Sequence, residues 1–347
     1  MRSPAWRVSM CVLAVVLHAC AGARPSPRSA ATPRSVEMQT LRYASPEGTA
    51  LLLDLYRPTG VRGPLPVIVF VHGGGWSAGT RTTGPDFRRY FARDGFAMAS
   101  IDYRLVPAGV FPKGVEDVKT AIRFLRKHAT TYGLDPDRIC LWGTSAGGHL
   151  ASVAALAPRG TFEGTEWLDV SSSVRCVLDA YGPTLFTMMD DDAASEASAL
   201  QPVAPALAST ARGPGAQRHD LETSPESRLL GAPIRTVPEK VRAASPITYV
   251  GPSAPPFLIV HGLADNAVPK RQSVRLYEAL AGAGAEVELR LLDGLPHTFY
   301  NRTDLDSIAG PFMMDVRTHP RGGADRRTAA HAGAFDVARA FFVKHLR

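Results

Sequence analysis

Cysteine is scarce in this 347-residue chain, with 4 in all, which excludes the dense disulfide framework that holds small secreted domains together. Runs of Lys and Arg interleaved with aromatics are missing too: the 39 basic residues are scattered among 32 acidic ones. The formal charge of +7 therefore forms no stripe that grips phosphates, and a nucleic-acid-binding role is set aside. The apolar stretch Met10–Leu17 is too short for a membrane-spanning helix. What is present is an ordinary globular composition, 45% hydrophobic and 20% charged, unlike a disordered or collagen-like chain. The length allows one large or two small domains.

Arg2 and Arg7 precede that first apolar stretch, as in an export signal, so residues 1–19 are left out of the fold. The stretch ends in Leu17-His18-Ala19-Cys20, which resembles a bacterial lipoprotein lipobox, where the cysteine becomes the lipidated first residue. A membrane tether through lipidated Cys20 in the cell envelope is the leading expectation; simple secretion and an uncleaved apolar tail are the alternatives. Loss of residues 1–19 removes two arginines and no acids, taking the charge from +7 to +5. Residues 24–35, rich in Arg, Pro, Ser and Ala, complete a tether over 20–35, and a single domain is expected over 36–347. That leaves Cys140 and Cys176, both in strand-like apolar runs. A bridge between neighbouring strands demands restrictive geometry, so two free, inert thiols are expected.

Short apolar runs bounded by turn residues recur at Ala50–Tyr56, Leu65–Val71, Phe96–Ile101, Arg138–Trp142, Val174–Ala180, Pro256–Val260 and Glu286–Leu292. Helical spacing lies between them: Val115, Val118, Ile122 and Leu125 share one face of Val115–His128, and Arg271–Ala281 and Ala334–Leu346 carry similar stripes. Strand alternating with helix predicts an α/β fold with a mostly parallel sheet covered on both faces. Two stretches break the rhythm, Asp190–Asp220 and Asn301–Thr328, and are expected as insertions near 190–220 and 301–328, each a candidate lid or a plain surface loop.

Gly143-Thr144-Ser145-Ala146-Gly147 follows the strand Arg138–Trp142 and precedes the helix-compatible run Gly148–Ala157, the context of a nucleophile elbow. Alone it says little, because glycine is common enough for G-x-S-x-G to arise by chance in roughly one protein of this length in ten. The second signal is His72-Gly73-Gly74-Gly75-Trp76 after the apolar Val67–Val71. Backbone N–H groups of Gly74 and Gly75, with that of Ala146, are the candidate oxyanion donors, each of a kind worth about 3 kcal/mol in a transition state. A serine hydroxyl needs a base, and the base an orienting acid. His297, after the strand Glu286–Leu292, and Asp265, after Pro256–Val260, are the candidates. Asp179 stays as a rival acid. His72 and His261 end strands, His149 lies on the helix after the elbow, and all three read as structural.

Taken together, His72–Trp76, Asp102-Tyr103-Arg104-Leu105, Tyr132-Gly133-Leu134-Asp135-Pro136, Gly143–His149, Ala244-Ser245-Pro246 and His261–Asp265 resemble the alpha/beta-hydrolase esterases of the feruloyl-esterase-like and hormone-sensitive-lipase-like group. The resemblance covers roughly residues 45–300. Thr144, where hormone-sensitive-lipase-like members usually carry Asp or Glu, turns it toward the feruloyl-esterase-like and acetylesterase-like branch. It implies a mostly parallel eight-stranded sheet with helices on both faces and the order Ser, Asp, His along the chain. It also implies hydrolysis of short-chain or aryl carboxylic esters through an acyl-enzyme, with no metal or organic cofactor, a small-molecule ester as partner, and Ser145, Asp265 and His297 as the triad. An amide hydrolase with the same triad and a non-catalytic surface binding module are the alternatives.

Overall fold

The structure, a computed structural model, describes residues 35–210 and 218–347. Expectations for residues 1–34, including the signal segment, Cys20 and most of the tether, lie outside them, as do residues 211–217 of the first insertion.

The described residues form one sheet of ten strands. In chain order these are β1 (Val36–Ala44), β2 (Leu51–Pro58), β3 (Leu65–Val71), β4 (Ala97–Ile101), β5 (Leu134–Thr144), β6 (Val177–Ala180), β7 (Phe257–Gly262), β8 (Val287–Leu292), β9 (Phe312–His319) and β10 (Arg326–Ala332). Their spatial order is β1-β2-β4-β3-β5-β6-β7-β8-β9-β10. From β4 to β8 every neighbour is parallel, while β1, β2, β9 and β10 join antiparallel.

The expected count of eight strands is corrected to ten, and the excess is the hairpin β9–β10, which begins in the segment 301–328 expected as an insertion and runs past it to Ala332. Its inward residues Phe312, Met314 and Val316 are buried. Arg326–Ala329 of β10 face solvent instead, so the strand lacks the apolar run that signals one in sequence.

Parallel strands in the middle of such a sheet are covered on both faces, which is why β3 reads as an unbroken apolar run. Val67, Val69 and Val71 join one core with Val118, Ile122 and Leu125 of α1 (Lys113–Lys127), and with Leu150 and Val153 of α2 (Ala146–Leu156). The alternate residues Ile68 and Phe70 join a second core with Trp142 and with Phe335, Phe342 and Leu346 of the last helix, Ala334–Leu346. Between lie α3 (Met189–Glu196), α4 (Pro225–Leu230) and α5 (Lys270–Gly282); the last helix is α6. The insertion at 190–220 is anchored through α3, whose buried Asp192 accepts from Gln272 Nε2 at 2.8 Å and Arg275 Nη2 at 2.7 Å on α5.

Cys140 and Cys176 are not free thiols. They form a disulfide with Cα atoms 4.8 Å apart, within the span a disulfide accepts. The register explains it: Leu141 on β5 pairs with Val177 on β6, so the residues just before them stand opposite each other on one face of adjacent strands. Sequence spacing cannot supply that register.

Candidate active site

The centre of the site is the turn from β5 into α2. Ser145 occupies it with φ 54° and ψ −121°, strained for a residue with a side chain. The turn is held from both sides, by Ser145 N–H donating to the Ala180 carbonyl at 2.8 Å and His149 N–H donating to the Ser145 carbonyl at 3.0 Å. A Cβ on Gly147 would stand 2.0 Å from the Val71 carbonyl oxygen, so the helix reaches β3 only because that position is glycine.

The loop after β3 lies against this turn. Gly74 has φ 125°, and a Cβ there would meet the Ala78 carbonyl oxygen at 2.1 Å, so the loop closes on itself through a bare backbone. Trp76 ties it to α2: its indole Nε1 donates to His149 Nδ1 at 3.1 Å, and His149 Nε2 donates to the Ala244 carbonyl at 2.7 Å. Full burial, opposed by the Ala244 hydrogen bond, pushes His149 down to about 4, so it stays neutral with its proton on Nε2. His149 and His72, which donates from Nδ1 to the Gly73 carbonyl at 2.7 Å, hold the loop and face no nucleophile.

The loops after β7 and β8 bring the other two groups. They are joined by backbone hydrogen bonds, Leu263 N–H to Leu292 carbonyl at 2.8 Å and Ala264 N–H to Leu295 carbonyl at 3.0 Å. Asp265 closes its own turn, accepting at Oδ1 from the N–H groups of Ala267 at 2.8 Å and Val268 at 3.0 Å. Its Oδ2 lies 2.7 Å from His297 Nδ1, and His297 Nε2 lies 2.8 Å from Ser145 Oγ. Since a carboxylate only accepts, Nδ1 of His297 carries a proton, and Nε2 is the ring nitrogen that faces the serine. Burial works against charge on Asp265, but the charge of His297 and the contacts with His261 and His297 overrule it and hold the carboxyl well below the usual range. Tyr181 packs edge-on against His297 with ring centroids 4.9 Å apart.

Ser145, His297, Gly74, Gly75 and Ala146 line one cavity of about 190 Å³. Ala146 is the first residue of α2, where a helix presents free N–H groups. The rival Asp179 sits elsewhere: fully buried, it accepts from Ser152 Oγ at 2.8 Å and from Gly182 N–H at 3.0 Å, and burial pushes it up to about 6 against those hydrogen bonds and the charge of His261. Three groups escaped sequence reasoning. Tyr181 carries no motif, and His219 and Glu226, which also line the cavity, lie in or just beyond a stretch too poor in apolar residues to be read. Among the described residues no group of three or more His, Cys, Asp or Glu side chains is placed to hold a metal.

The BD-FAE family model matches residues 53–280, well over half the chain and every element that builds the site except β8 and the His297 loop. The chain belongs to this family of α/β-hydrolase esterases. Among curated relatives, esterase LipC of Mycobacterium tuberculosis is 33% identical over 72% of this chain and 57% of its own length. The probable carboxylic ester hydrolase LipM of the same organism is 30% identical over 65% of this chain and 48% of its own. The chain thus spans about half the length of these relatives. Among solved structures, a truncated carbohydrate esterase from gut microbiota superposes with a TM-score of 0.60 at 28% identity, covering 80% of this chain and 97% of that one. Esterase 2 of Thermogutta terrifontis, phosphonylated by sarin, gives 0.60 at 27% identity, covering 78% and 91%. The BD-FAE assignment and these neighbours fix the α/β-hydrolase fold.

Proposed function

We propose that this BD-FAE protein is a serine esterase that hydrolyses carboxylic esters with small acyl groups. The observation that carries the reading is the unbroken chain Ser145 Oγ, His297, Asp265, with contacts of 2.8 and 2.7 Å. Ser145 Oγ attacks the ester carbonyl carbon while His297 Nε2 takes its proton. The carbonyl oxygen becomes an oxyanion, and the N–H groups of Gly74, Gly75 and Ala146 stabilise it. Collapse expels the alcohol, which takes the proton back from His297, and leaves Ser145 acylated. Water, deprotonated by the same imidazole, then releases the acid and restores the serine. Asp265 keeps the proton of the neutral imidazole on Nδ1 and stabilises the imidazolium that forms.

The esterase names of the relatives support the bond type, and a neighbour that is phosphonylated by sarin supports an activated nucleophile. A cavity of about 190 Å³ falls below the 300–1,000 Å³ usual for drug-sized ligands, which favours acetyl to butyryl groups over long chains. The buried disulfide supports an oxidising compartment, hence export. Hydrolysis of p-nitrophenyl esters from acetate to decanoate by the wild type and Ser145→Ala tests the reading: short-chain activity lost in the variant is expected, and equal activity in both proteins overturns it.

A further inference from the structure

The cavity that Ser145 lines also holds a second imidazole–carboxylate pair that the mechanism does not use. His219 and Glu226 both line the cavity and are 2% and 3% exposed. His219 Nδ1 lies 2.9 Å from Glu226 Oε1. The carboxylate oxygen only accepts, so Nδ1 carries a proton, and in that tautomer of imidazole the lone pair lies on Nε2.

Both partners are fixed from behind. The N–H groups of His219 and Asp220 donate to the two oxygens of Asp190, at 2.8 and 2.9 Å. Glu226 stands in the first turn of α4, whose cap Ser224 accepts from Ser227 N–H at 3.1 Å. Glu226 Oε2 is buried without a hydrogen-bond partner among the described residues, so the contact with His219 is what orients this carboxylate. A buried group left unmatched in this way calls for a functional account.

We infer that His219, oriented by Glu226, is a specificity residue that accepts a hydrogen bond at Nε2 from a hydroxyl on the substrate a few atoms from the reacting ester. This rests on the esterase reading and names its substrate class: hydroxylated esters, with the hydroxyl on the alcohol or the acyl side. The carboxylate beside the ring disfavours an anion there. An apolar substrate of the same shape would bury Nε2 unpaired, and sites built to bind a hydroxyl reject analogues that lack it. His219 touches substrate in this account, whereas Glu226 is a positioning residue.

Two matched ester pairs test it, each exchanging hydroxyl for methyl: 2-hydroxyethyl butyrate against propyl butyrate, and ethyl 3-hydroxybutyrate against ethyl 3-methylbutyrate. The full chain is expected to prefer the hydroxylated member of one pair by about tenfold or more in kcat/KM, and the pair that responds assigns the side. His219→Phe brings that ratio to about one, Glu226→Leu reduces it, and Glu226→Gln, whose amide oxygen still accepts from Nδ1, retains it. The ratio is internal to each protein, so a loss of folded enzyme does not move it. Wild-type hydrolysis of the apolar members without any hydroxyl preference overturns this inference alone, as does an unchanged ratio in His219→Phe. Failure to hydrolyse any of the four overturns the esterase reading and this inference with it.

Discussion

His261 Nε2 lies 3.2 Å from Asp265 Oδ2, the same oxygen that His297 Nδ1 approaches at 2.7 Å. The acid is thus flanked by two imidazoles, one facing the serine and one rooted in β7. His261 also hydrogen-bonds from Nε2 to the Val268 carbonyl at 2.9 Å and contacts Ser273 Oγ through Nδ1 at 2.7 Å, so it joins the Asp265 turn to α5. Replacing it with leucine removes one support of the carboxylate and leaves buried polar groups unpaired, a cost of about 1–3 kcal/mol in stability. His261→Leu is expected to lower kcat on p-nitrophenyl acetate, by less than Asp265→Asn, which sets the wrong tautomer on His297 and costs about 10⁴-fold. Full kcat in His261→Leu, alongside a urea melt of the same protein, would show that Asp265 needs no such support.

Gly74→Ala tests the oxyanion loop. The new methyl would face the Ala78 carbonyl oxygen at 2.1 Å from a backbone with φ 125°, so the loop must move. Losing one oxyanion donor costs about 10²–10³ in kcat, and a loss of that size with an unchanged circular dichroism spectrum is expected. Near-normal kcat would place the oxyanion on other donors.

The Cys140–Cys176 bridge closes a loop of 36 residues in sequence separation. Chain-entropy reasoning assigns such a loop about 4 kcal/mol at most, less whatever the two buried side chains recover as packed alanines. The double variant Cys140→Ala/Cys176→Ala is expected to unfold at lower urea than the oxidised wild type. Mass mapping under non-reducing conditions should find the two cysteine peptides linked; separate peptides would contradict the bridge.

What the sequence made legible followed from local chemistry. The run Val67–Val71, the spacing of Val115, Val118, Ile122 and Leu125, and the glycines flanking Ser145 each express a short-range demand of the backbone or of one face of an element. The meeting of Ser145, Asp265 and His297 was readable because all three stand just past apolar strands, and parallel strands bring such ends to one edge. Other features depend on register and long-range packing. Cys140 meets Cys176 only through the pairing of β5 with β6, β10 is a strand because β9 offers it an edge, and Glu226 joins His219 because Asp190 on α3 holds the backbone between them. None of these relations leaves a periodic trace in the chain.

Asp179 gives the fold a pH dependence that can be isolated. Burial raises its folded pKa to about 6, against an ordinary 3.8, despite hydrogen bonds from Ser152 and Gly182 N–H. Between those two values the folded state binds more protons than the unfolded one, so the contribution of this group to stability is fully present below the ordinary value and is lost as pH rises through about 6. Asp265 has the opposite sign: its folded pKa is depressed, and its contribution is lost only as pH falls below the ordinary carboxylate range. Above pH 5 Asp179 therefore acts without interference from Asp265. Asparagine at 179 keeps an oxygen for Gly182 N–H and a polar group for Ser152, and does not titrate. From pH 5 to pH 8 the urea-derived stability of the wild type should fall by about 1 kcal/mol more than that of Asp179→Asn. Parallel pH profiles in the two proteins would mean that Asp179 is already ionised in the fold at pH 5.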